Sequence, residues 1–103
     1  MRKIVEGKVY NTMTAEMLAE YFSGHSIGDY HRYEEELYKT KKGAYFIHGK
    51  GGAASKYAER CPSGGYNPGE DIRPISEDTA KKWAQDRLSV DEYEEIFGPL
   101  EEA

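Results

Sequence analysis

The chain has one cysteine and four prolines, and no apolar run in it approaches the roughly 18 residues of a membrane span. The lone Cys61 excludes an internal disulfide framework and suits a reducing compartment. The opening MRKIVEGKVY has no apolar signal core, so a cytoplasmic protein is expected and no membrane partner. Metal chemistry is poorly provided for. His25, His31, His48 and Cys61 are scattered, and no C-x-x-C or H-x-x-x-H spacing occurs, so neither a metal nor another cofactor is expected. Catalytic groups are equally sparse. Cys61 has no base beside it in sequence, and the adjacent carboxylates Glu34, Glu35 and Glu36 would point to alternate faces of a strand. No catalytic constellation is recognisable, and an enzyme is not expected.

The 103 residues suffice for a single domain, 1–103, with nine tyrosines and three phenylalanines to build its core. Residues 3–10 read as a strand or a tight hairpin turning at Glu6-Gly7. Ala15, Leu18, Ala19 and Phe22 recur at helical spacing before Gly24, which predicts a helix over 13–23. Residues 25–33 form a polar, aromatic loop. Two strand-like runs, 35–40 and 44–48, flank Lys41-Lys42-Gly43 and predict a hairpin with glycine at positive φ. A short helix is expected over 55–60 and an exposed loop over 61–71. Residues 72–75 suit an edge strand, because Pro74 cannot donate to a ladder. Ser76 caps a helix over 77–88, and Ser89-Val90-Asp91-Glu92 is a capping box opening another over 90–97. The expected fold is α+β. A small antiparallel sheet, made of the hairpin near 35–48 and an N-terminal strand, packs with about three helices. Trp83, Leu88, Phe22, Leu18, Ile47 and Tyr93 are the expected core.

The stretch GKGGAAS raises the question of a phosphate loop. A Walker loop fails, since Gly43 stands one residue too far from Gly49-Lys50 and Gly51 occupies the hydroxyl position. Gly49, Gly51 and Ala54 do give G-x-G-x-x-A, with Glu70 about twenty residues on. The strand before them belongs to an antiparallel hairpin, however, and a βαβ unit has little room. The alternative is that the glycines let the chain leave the sheet at unusual angles.

Charge is segregated. Residues 70–103 carry a net −7 and residues 39–60 a net +5. The basic hairpin, with Lys39, Lys41, Lys42, Lys50 and Tyr45, could neutralise phosphates and stack bases. The competing assignment is an exposed lysine turn with its aromatics facing the core. The acidic residues Asp86, Asp91, Glu92, Glu94 and Glu95 could instead dock on a basic groove that normally holds nucleic acid, or form only a solvated helix face.

KIVEGKVYNTMTAEMLAEY, ELYKTKKGAYFIHGKGGAASKYAE, IRPISEDTAKKWAQDRL and DEYEEIFG together resemble small cargo proteins carried by plasmids, integrative elements and phages of Gram-positive bacteria. That resemblance implies a mobile-element context, in which anti-CRISPR inhibitors occur. The implied function is a protein-binding inhibitor of a host defence nuclease. It would act on an RNA-guided effector or its guide RNA complex, by occupying a nucleic-acid-binding surface or blocking guide loading. The alternative is a small nucleic-acid-binding accessory protein that uses the 39–50 hairpin.

Overall fold

A computed structural model of the chain describes every residue except 25 and 27. The fold is α+β. Its centre is a four-stranded antiparallel meander in the order β3-β4-β5-β8, formed by β3 (Glu16–Phe22), β4 (Tyr33–Lys39), β5 (Tyr45–Gly51) and β8 (Gly69–Ile75). Two helices, α1 (Glu77–Arg87) and α2 (Val90–Phe97), follow the last strand and pack on one face. The other face carries the N-terminal hairpin, β1 (Arg2–Val5) with β2 (Lys8–Asn11). A third, minimal hairpin pairs β6 (Glu59–Arg60) with β7 (Tyr66–Asn67).

Strand alternation divides the core in two. Leu37 and Ile47 pair across β4 and β5 and meet Ala80, Trp83 and Ala84 of α1 and Tyr93 of α2. On the opposite face Tyr38 stacks on Phe46 at 5.0 Å between ring centroids, above Ile72. Tyr10 of β2 closes this cluster edge-on to Phe46 at 5.7 Å, and Lys3 of β1 reaches Asp71 of β8 at 2.6 Å. The hairpin turns at Glu6 and Gly7, both with positive φ, as a tight two-residue turn requires. It forms its own sheet and covers the main one; the expected pairing of an N-terminal strand with the 35–48 hairpin does not occur.

The predicted helix over 13–23 is strand β3, so the described residues form two helices where about three were expected. The cause is a bulge between Met17 and Ala19. The extra residue lets Leu18 and Ala19, neighbours in sequence, both pack toward the helices with Tyr21. That spacing imitates a helical stripe. Phe22 falls on the other face and is 54% exposed, so it is not a core residue. Trp83, Ile47 and Tyr93 are buried, while Leu18 and Leu88 pack at the core margin.

No helix forms over 55–60. The Ser55 hydroxyl donates to Gly52 O and accepts from the Tyr57 N–H, which holds a turn in place of a helix. The 61–71 segment is largely exposed, as composition implies, but folds back through β7 before β8 begins. Pro74 sits in the edge strand β8. Both helix starts carry the expected caps, including the reciprocal Ser89–Glu92 box.

Candidate functional site: a buried carboxylate and an acidic groove

Glu35 lies on the helix-facing side of β4, one alternation from Leu37, and is 3% exposed. Four side chains, from α1 and the 52–58 turn, converge on it. The Tyr57 hydroxyl donates to Oε2, and Lys56 Nζ lies 2.9 Å from the same oxygen. Trp83 Nε1 donates to Oε1 at 3.1 Å, and Arg87 Nε faces that oxygen at 3.4 Å. The cations are themselves held by rings. Lys56 lies over Tyr33 at 4.8 Å and Arg87 over Tyr21 at 5.4 Å. Burial works to raise the Glu35 pKa, but the bonds from Tyr57, Lys56 and Trp83 outweigh it and hold the carboxyl below its ordinary value. Burial and the Glu35 charge push the Tyr57 hydroxyl far above the usual tyrosine range. The arrangement has the form of a structural hub. It ties β4, α1 and the 52–58 turn together around a charge that water does not reach.

The glycine cluster serves this hub. Gly49 lies directly beneath the Tyr57 ring, where a Cβ would stand 1.9 Å from Tyr57 Cζ. A Cβ on Gly52 would stand 2.5 Å from Tyr30 O. Neither residue has positive φ. Close approach, not an unusual exit angle, therefore requires the glycines. Gly49→Ala should displace Tyr57 from Glu35 and destabilise the fold by about 1–3 kcal/mol. Urea denaturation checks this. A change within about 0.5 kcal/mol would show that Tyr57 swings aside freely.

On the opposite face the expected separation of the three acids holds. Glu34 pairs with Lys50 at 3.1 Å, and Glu36 lies 2.7 Å from His48 Nδ1. His48 Nε2 lies 2.7 Å from Glu70, so one half-buried ring bridges β4 and β8. Its two nitrogens serve different carboxylates, and no metal-holding group of His, Cys, Asp or Glu occurs among the described residues. His25 lies outside the described residues.

The basic hairpin is not a base-stacking platform. Tyr45 is 8% exposed and packs against Phe97, which corrects its assignment to a nucleic-acid surface. Tyr38 and Phe46 are equally interior. Strand alternation sends these rings into the two cores, one on each face of the sheet. Lys41 and Lys42 remain exposed at the turn, but Lys50 is engaged by Glu34 and Lys39 lies over the Tyr45 ring at 5.5 Å.

The acids expected to form one face on the two helices separate into groups. Glu92 and Glu95 line a groove of about 510 Å³ between α2 and β3, together with Leu18, Ala19, Tyr45 and Ile96. Glu16 of β3 joins them, and among the described residues Lys39 is the one cation on its lining. Asp91 and Asp86 are exposed outside the groove, and Glu94 instead accepts a bond from the Leu100 N–H at 2.6 Å. Glu92 accepts from the Ser89 N–H, which holds its carboxyl below the ordinary value. Sequence reasoning missed Glu16 because the helix expected over 13–23 hid the strand. A second hollow, of about 800 Å³, is lined by Asp29, Arg32, Glu34, Lys50, Glu59 and Glu70 and mixes both signs of charge. No family, curated protein or solved structure matches the chain.

Proposed function

We propose that the chain is a protein-binding inhibitor of a host defence nuclease, an RNA-guided effector in the bacterial cytoplasm. It docks its acidic β3–α2 side on a surface that otherwise holds nucleic acid, and so competes with guide or target. The observation that carries this is the groove lined by three carboxylates, Glu16, Glu92 and Glu95, beside Leu18, Ala19 and Ile96. Three carboxylates gathered against one lysine suit a basic protein surface, because the charges steer encounter. The resemblance of the sequence segments to mobile-element cargo supports the host context. The alternative, direct nucleic-acid binding by the 39–50 hairpin, is disfavoured because its aromatic rings are buried.

A panel of purified RNA-guided effectors, each with and without guide RNA, tests the proposal. One effector should form a stable complex that excess guide or target weakens. Capture of none, beside direct binding of RNA or DNA, would replace it with the alternative. Glu16 and Glu95 take part in no side-chain hydrogen bond or ion pair described for the fold, so Glu16→Lys with Glu95→Lys should spare folding. The pair should slow association about tenfold at low salt, with circular dichroism as the fold control. Unchanged association would place the contact elsewhere.

A further inference from the structure

We propose that the outer edge of β3 takes up an extended basic segment of a partner as a fifth strand, with its helix-facing side chains entering the acidic groove beside α2. β3 is the first strand of the sheet, and among the described residues nothing pairs with its outer side. The ladder fixes which groups are free there. Ser23 N–H donates to Tyr33 O at 3.0 Å, so alternation turns Ala19 and Tyr21 toward β4. The N–H and C=O of Glu20 and Phe22 then point outward, ready for a new strand.

The flanks select what can pair. On the helix side lies the groove lined by Glu16, Glu92 and Glu95 with Leu18 and Ile96. On the other side stand Glu20 and the half-exposed Met17 and Phe22. Acids therefore flank the edge on both faces. Charge on an edge strand commonly prevents indiscriminate pairing, and here it excludes acidic strands and a second copy of β3 while admitting lysine- or arginine-bearing ones. Main-chain bonds would supply affinity, and the alternating pockets specificity. This rests on the acidic side being a docking surface, but not on the partner being a nuclease.

The probe is an octapeptide of alternating lysine and valine with blocked ends, titrated into the full chain by NMR. Binding should slow amide exchange at Glu20 and Phe22 selectively, and an alternating glutamate–valine peptide should not bind. Glu20→Pro removes an outward donor without touching the bonds to β4, and edge strands tolerate proline. It should weaken peptide binding about tenfold or more beyond Glu20→Ala, which keeps the N–H. No binding of the basic peptide, or equal binding by both variants with the fold intact, overturns the inference. If Glu20→Pro unfolds, amide protection in the native chain decides alone. An effector captured equally well by native chain and Glu20→Pro would sink the edge-docking inference and leave the proposed function standing. Peptide binding without capture of any effector would do the reverse.

Discussion

Replacing Glu35 with alanine should destabilise the domain by about 3–5 kcal/mol, the usual result of removing one partner from a buried charged network. The substitution leaves Lys56 and Arg87 without their shared anion, and the Tyr57 hydroxyl and Trp83 N–H without their acceptor. Glu35→Gln should cost less, because an amide oxygen can still accept from one of them. The two variants separate loss of charge from loss of all bonding. Acid should erase much of the difference. The Glu35 pKa is lowered from 4.5, so its stabilising contribution is complete above that value and is lost as pH falls through the folded-state pKa. Urea denaturation at neutral and acidic pH measures both effects. A Glu35→Ala variant as stable as the native chain would mean that the cluster is solvated and holds nothing together.

Trp83→Ala should be comparably severe, about 3–5 kcal/mol, since it removes a large ring from the centre of the helix-facing core. Trp83 is 7% exposed and packs with Leu37, Ile47 and Tyr93, and its N–H is one of the Glu35 donors. Because the two residues touch, the double variant should lose less than the two single losses combined. Additivity would show that the Trp83–Glu35 bond contributes nothing. A loss under about 1 kcal/mol for Trp83→Ala would move the ring from core to surface, where an exposed tryptophan suits a binding anchor.

Local chemistry made both helices, the β4–β5 turn and the last strand legible. Ser76 and the Ser89–Glu92 box set both helix starts, Gly43 marked the β4–β5 turn, and Pro74 kept β8 at an edge. The N-terminal half misled because a bulge shifted register inside β3. Two adjacent apolar residues on one face look helical when only spacing is read. Glu35 left a faint signal. It shares the inward alternation of Leu37, and a carboxylate at such a position demands buried donors. Its partners could not be named, because Tyr57, Trp83 and Arg87 lie 22 to 52 residues away and meet it only through tertiary packing. The groove was hidden for the same reason. Glu92 and Glu95 were visible as acids, but Glu16 faces them only once 16–22 is a strand beside α2.

The most direct test is the association rate of the native chain with a captured RNA-guided effector across a salt series, beside the Glu16→Lys, Glu95→Lys variant. Docking through the acidic β3–α2 side predicts that native association slows steeply as salt rises. It also predicts that the variant is slow at low salt and nearly insensitive to it. Equal rates and equal salt slopes for the two proteins would contradict it.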